Sequence, residues 1–127
     1  MSTAAVASAF PTVVHMLADA AARSPAAEAL VAGTERLTYQ EYWQAVGAFA
    51  GELADRNLAG ERVALLMGNS IDLCIAMFAV HYAGATAVPL NPAYTPAELE
   101  PMLGVAAARL LIHDQAAAES AAALAPR

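Results

Sequence analysis

RVALLMGNS, Arg62 to Ser70, is the stretch on which the fold turns. Val63 to Met67 are apolar without a break, lacking the alternation of a strand that is solvated on one face. A run of this kind reads as a strand covered on both faces, the usual condition of parallel sheets. Gly68-Asn69-Ser70 then turns the chain, and Asn69 or Ser70 can cap the following helix with a side-chain oxygen. That helix is apolar nearly all round and ends near Gly84, so it needs protein on more than one side. Ala85 to Leu90 is the next strand. Thr95-Pro96-Ala97-Glu98 opens another helix with a capping box and a proline at the first helical position. ARLLIHD, Ala108 to Asp114, is a further strand. Strands alternating with helices at this spacing imply βαβ units, a mostly parallel sheet and right-handed crossovers.

The flanks read less regularly. Residues 1–11 are expected to be a flexible tail. Thr12 can cap a helix to about Arg23, which Ser24-Pro25 stops. Two short apolar segments around Gly33-Thr34 form a β-hairpin by turn chemistry. Thr38 and Glu41 make a first capping box. The helix behind it carries Tyr39, Tyr42, Trp43, Val46, Phe49, Ala50 and Leu53 on one stripe, which reads as core rather than as a ligand box. Gly47 and Gly51 beside that stripe are expected to allow a close backbone approach, and Asn57 to Gly60 ends the helix. Pro101, inside the helix opened by Thr95, removes a donor and crowds the preceding turn, so that helix is expected to stop or kink near Glu100. Ala116 to Leu124 can form a last helix, although alanine alone does not stabilise an isolated one. The fold class expected is α/β: a mostly parallel sheet with helical crossovers plus an N-terminal β-hairpin.

Composition narrows the function classes. Of 127 residues, 59% are hydrophobic and 14% charged, against about 45–50% and about 25% in ordinary soluble domains. The length suits one domain at most. The most apolar window, Ile71 to Leu90, is cut by Asp72, His81, Gly84 and Pro89, which argues for a buried helix and strand rather than a membrane span. A net charge of −6 with six arginines and no lysine leaves no footprint for nucleic acid or an anionic membrane surface. The N-terminus has neither the basic start nor the apolar run of a signal peptide. The single Cys74 excludes an internal disulfide framework and fits the reducing cytoplasm, where a buried structural thiol is the expected reading.

A search for chemistry returns little. The seven glycines are scattered, so no phosphate loop is present. Gly68-Asn69-Ser70 lies at a strand's C-terminal end before a helix, where anions bind in α/β folds, but it reads first as a turn. His15, His81 and His113 lack partners at metal spacing. His81 is expected to be a hydrogen-bonded core histidine, and His113-Asp114 a structural pair at a strand end. No serine sits in a nucleophile elbow. In AVPLNPAYTPAEL, Ala87 to Leu99, Pro89 and Pro92 suit a strand end and a loop, and Asn91 can bond its own backbone. Asn91 and Tyr94 stay open as ligand contacts, but a structural corner is the expected role. No catalytic, cofactor-binding or metal-ligating residue is assigned.

In order, the chain carries Leu37-Thr38-Tyr39 with Glu41, Gly60-Glu61-Arg62-Val63-Ala64-Leu65, Asn69-Ser70, Ala83-Gly84-Ala85, Val88-Pro89-Leu90-Asn91-Pro92, Tyr94, Glu98-Leu99 and the strand before Asp114. Together, across about residues 12–114, these resemble the N-terminal region of AMP-forming acyl-CoA synthetases, in the adenylate-forming superfamily of AMP-binding enzymes. The chain departs from many relatives at Gly68, where they carry proline, and in its short Asn57–Gly60 connection. The resemblance implies that residues 12–114 are the first part of the family's large N-terminal α/β domain, and that 115–127 are an Ala-rich, truncated C-terminal segment. It also implies a parent activity: a carboxylic acid, fatty or otherwise small and organic, is activated with Mg-ATP to an acyl-adenylate and transferred to CoA. The family's phosphate loop with its lysine, its acidic motif, its ribose-binding aspartate and its catalytic lysine match no position here. The chain alone is therefore expected to be inactive and to need no cofactor, and to self-associate if isolated. Two other readings stand beside this one. The chain is an independent non-catalytic module that self-associates or docks on a partner, or a small nucleotide-binding protein using the turn at Gly68.

Overall fold

The computed structural model describes residues 12–124. The tail expected at 1–11, and positions 125–127, lie outside the described residues. Helix α1 (Val13–Arg23) begins at Thr12, whose side chain accepts from the His15 amide. Strands β1 (Glu28–Ala32) and β2 (Glu35–Thr38) form the antiparallel hairpin, with Ala32 opposite Glu35 and Gly33 at φ +61° in the turn between them. Helix α2 (Tyr39–Leu53) opens with both halves of the Thr38/Glu41 capping box in place. A short 3-10 turn, Ala54–Arg56, follows.

The second sheet is wholly parallel, in the order β4-β3-β5. Its central strand is β3 (Arg62–Leu66), joined by α3 (Ile71–Tyr82) to β4 (Thr86–Leu90), then by α4 (Pro96–Ala106) to β5 (Ala108–His113). The apolar run that forecast a doubly covered strand is the middle one: Val63, Ala64, Leu65 and Leu66 are each fully buried. Val63 and Leu65 pack on one face with Leu17 of α1, Tyr42, Val46 and Ala50 of α2, and Ala76 and Val80 of α3. Leu66 packs on the other face with Leu99 of α4, Ala117 and Leu124. Each fully buried leucine contributes about 1.5–3 kcal/mol of transfer free energy. The three-layer arrangement thus rests on a strand whose last four residues meet no water.

The last helix forms as a 3-10 turn, Gln115–Ala117, leading into α5 (Ala118–Leu124). Burial of Ala117, Ala121 and Leu124 supplies what alanine propensity alone does not.

Two readings are revised. Of the stop or kink expected near Glu100, the stop does not occur: helix α4 runs through Pro101 to Ala106. The proline removes only the bond to the Ala97 carbonyl. Ala97 and Pro101 are both exposed, so water can satisfy that oxygen, while Leu99 and Leu103 hold the opposite side against the core. Nor do Gly47 and Gly51 admit a neighbouring backbone: a Cβ built at either meets nothing within 4 Å. They border a shallow hollow of about 510 Å³ that Leu58 and Tyr82 also line.

Candidate functional site

In a parallel sheet, the strands' C-terminal ends are where connections diverge to opposite faces and ligands settle. Here α3 leaves β3 for one face, while α4 and the Gln115–Leu124 segment pack on the other. The connections therefore part on both sides of β3. This end of the sheet collects Gly68-Asn69-Ser70, Asn91, Tyr94 and His113-Asp114, which are the positions the sequence left open.

Their bonds are largely internal. Ser70 accepts from the Leu73 amide at 3.1 Å as the N-cap of α3, and its hydroxyl donates to the Gly68 carbonyl at 3.2 Å. Asn91 Oδ1 accepts from the Ala93 amide at 2.9 Å, an Asx turn that shapes the corner between β4 and α4. Thr95 and Glu98 complete the second capping box, each accepting the other's backbone N–H, at 3.2 and 2.9 Å. Hydrogen bonds from the Thr95 backbone and hydroxyl hold the Glu98 carboxyl below the usual carboxylate range. Asn69 is exposed, and Tyr94 is 40% exposed.

Asp114 is the hub. Its Oδ2 accepts the Gly68 amide at 2.9 Å and its Oδ1 the Ala117 amide at 3.0 Å. One half-buried carboxylate thus ties the turn after β3 to the turn after β5 and caps the helical segment behind it. His113 Nδ1 must carry its proton, since it donates at 2.7 Å to the Asp114 carbonyl, which can only accept. Sequence reasoning singled out the His113-Asp114 pair but not the bond to Gly68, because nothing local in the chain marks it.

The histidines stay apart. His15 pairs with the Thr12 hydroxyl at 2.7 Å. His81 is only half-buried and its ring makes no hydrogen bond, which corrects the core-histidine expectation. It lies in the last turn of α3. Cys74 is likewise half-buried. Tyr42 is core as expected: its hydroxyl donates to the Cys74 carbonyl at 2.9 Å, and burial raises its pKa far above the usual tyrosine value. Among the described residues, no three His, Cys, Asp or Glu side chains gather to hold a metal ion, and no helix is long and apolar enough to cross a membrane.

Cations sit at the other end of the sheet. Arg62, at the start of β3, donates to the carbonyls of Ala106 at 3.0 Å, Ala107 at 3.2 Å and Gly60 at 3.3 Å. It closes the C-terminus of α4, where Ala107 takes a left-handed conformation at φ +53°. Arg109 pairs with Glu61 at 3.4 Å. The C-terminal end of the sheet therefore offers helix N-termini and backbone amides but none of the sheet's arginines. It can orient loops, and it lacks the charge to neutralise a polyphosphate.

The family model for AMP-binding enzyme matches residues 17–127. The chain belongs to the AMP-binding enzyme family. Among curated members, tyrocidine synthase 3 of Brevibacillus parabrevis is 32% identical over 102 residues, spanning 80% of this chain and 2% of that protein. A long-chain-fatty-acid–CoA ligase of Haemophilus influenzae is 34% identical over 93 residues, spanning 72% of this chain and 16% of the ligase. Among solved members, the N-terminal domain of FACL13 from Mycobacterium tuberculosis superposes with a TM-score of 0.83 at 29% identity, covering 91% of this chain and 30% of that domain. A fatty acyl CoA synthetase of the same organism gives 0.85 at 28% identity, covering 94% of this chain and 24% of its own. The chain thus spans only a small part of each of these relatives, 2% of the synthase and 16% of the ligase. These AMP-binding relatives share its α/β architecture, parallel sheet and hairpin included.

Proposed function

We propose that this AMP-binding segment serves an ATP-dependent, AMP-forming acyl-CoA ligase as the framework on which the adenylating site is built. In that reaction a carboxylate oxygen attacks the α-phosphorus of Mg-ATP and the bond to pyrophosphate breaks, leaving an acyl-adenylate. The CoA thiol then attacks the acyl carbon and AMP departs. The family match over residues 17–127, with acyl-CoA ligases among the relatives, carries this reading. The substrate class is a carboxylic acid, fatty or otherwise small and organic, and the setting is the cytoplasm. Asp114, Ser70, Asn91 and Thr95 fix the loops at the sheet's C-terminal end; no residue of this chain acts on the reacting atoms. The phosphate-loop lysine and the catalytic lysine have no counterpart among these 127 residues, and the transition-state charge needs such donors. Incubating the chain with Mg-ATP, CoA and a panel of carboxylates is expected to release no pyrophosphate above background. Turnover by the chain alone would refute its role as framework.

A second reading, an independent non-catalytic module that self-associates or docks on a partner, draws support from exposed apolar side chains. Met102 is 38% and Val105 91% exposed on α4. Sedimentation separates the two: a discrete stable oligomer of the chain favours the module, and a polydisperse species favours the framework.

A further inference from the structure

Asp114 joins the two helical layers at one end of the sheet. Helix α3 packs on one face of β3 through Ala76, Ala79 and Val80, and the Gln115–Leu124 segment packs on the other through Ala117 and Leu124. Between the layers, Val63 to Leu66 of β3 make apolar contacts, which fix no direction. The Asp114 carboxylate adds two bonds that do. Its Oδ2 accepts at 2.9 Å from the Gly68 amide, in the turn that leads into α3, and its Oδ1 accepts at 3.0 Å from the Ala117 amide, which leads into α5. The first of these turns is itself stiff. The Ser70 hydroxyl donates to the Gly68 carbonyl and accepts from the Leu73 amide, so a shift of Gly68 carries the first turn of α3 with it.

Position 68 is used for its N–H. The Gly68 backbone lies outside the left-handed region, and a Cβ there would meet Asp114 Oδ2 at an ordinary 3.8 Å. Neither strain nor space calls for glycine; alanine fits with the donor kept, and proline removes the donor. We propose that the Asp114 carboxylate is a conformational tie, which passes a displacement of the turn at Gly68 across the sheet to the Gln115–Leu124 segment, and the reverse. Hydrogen bonds to an ionised carboxylate are strong and depend steeply on direction, and coupling between two positions is reciprocal. The tie goes beyond the framework reading and stands without it. A ligand that displaces the Gly68 turn therefore also shifts the helical segment on the far face of the sheet.

Backbone hydrogen exchange of the whole chain tests this, with each segment's rate read relative to that of α2. Gly68→Pro deletes the donor on one layer and is expected to raise the relative exchange of Ala117 to Leu124, on the other layer, by about fivefold or more. Gly68→Ala keeps the donor and is expected to leave that ratio unchanged. In an Asp114→Ala background, Gly68→Pro is expected to add nothing, since the tie is already gone. No rise in Gly68→Pro, a rise shared equally with α2, or an equal rise in Gly68→Ala would each overturn the tie. So would a further rise in the Asp114→Ala background. Where Gly68→Pro does not fold, Asp114→Asn decides. It replaces one accepting oxygen with a donor, so relative exchange is expected to rise at Gly68 to Ser70 or at Ala117 to Leu124. Unchanged rates at both would overturn the proposal.

Discussion

Replacing Asp114 with alanine tests whether one carboxylate holds the C-terminal end of the sheet together. Its two oxygens accept the amides of Gly68 and Ala117 at 2.9 and 3.0 Å, in a half-buried setting. Loss of a helix cap costs about 0.5–2 kcal/mol. Loss of a hydrogen bond to a charged group contributes about 1.5–3 kcal/mol. The two share one side chain and do not add fully, so the expected destabilisation is about 2–4 kcal/mol. Equilibrium unfolding in urea reads this directly: at a slope of about 2 kcal/mol per molar, the midpoint falls by roughly 1–2 M with the slope unchanged. Asp114→Asn keeps one accepting oxygen and is expected to lose about half as much. A change within about 0.5 kcal/mol for the alanine variant, the range of ordinary surface substitutions, would refute the hub.

Three further outcomes follow from the geometry. Pro101→Ala restores a helix donor inside α4; the helix gain of about 3 kcal/mol, less the roughly 0.4–1 kcal/mol that proline contributes by removing entropy from the unfolded chain, leaves about 2–2.5 kcal/mol of stabilisation in a urea titration. Ala107→Gly relieves a left-handed alanine that costs about 1–2 kcal/mol and, after glycine's own entropy cost, is expected to stabilise by about 0.5–1 kcal/mol in thermal melts. Glu98 has a lowered pKa when folded, so its contribution is present above the ordinary glutamate value and is lost as pH falls through the lowered one. Stability measured across that acid range is expected to depend less on pH in Glu98→Gln than in the native sequence; an identical acid limb would rule out the capping-box contribution.

The βαβ alternation was legible because each strand of the parallel sheet is a short apolar run and each helix between them opens on a hydroxyl cap. Thr38, Ser70 and Thr95 all cap where their sequence places them. Pro101 misled because propensity is a local quantity: packing of Leu99 and Leu103 outweighs one missing bond on a wet face. Of the candidate site, the corner at Asn91 and the turn at Gly68 were legible as turns. The carboxylate bridge from Asp114 to Gly68 was not, since it joins residues that only the parallel register of β3 and β5 brings together. Arg62 escaped notice for the same reason: two of the carbonyls it satisfies belong to a helix end three elements further along the chain.

The strand order has a consequence for synthesis. β3 is the centre of the sheet, yet it leaves the ribosome before both of its neighbours. Its first partner, Thr86 opposite Arg62, lies some two dozen residues downstream, and its second, Ala108, lies about as far again. At about 5–20 residues per second, the most apolar strand of the chain waits about 1–5 s for one edge to be covered and as long again for the other. The sheet therefore grows outward from a strand that is an aggregation hazard until α3 and α4 have emerged. The helix caps at Ser70 and Thr95 act during that interval, since they favour local helix before any strand pairing is available to direct it.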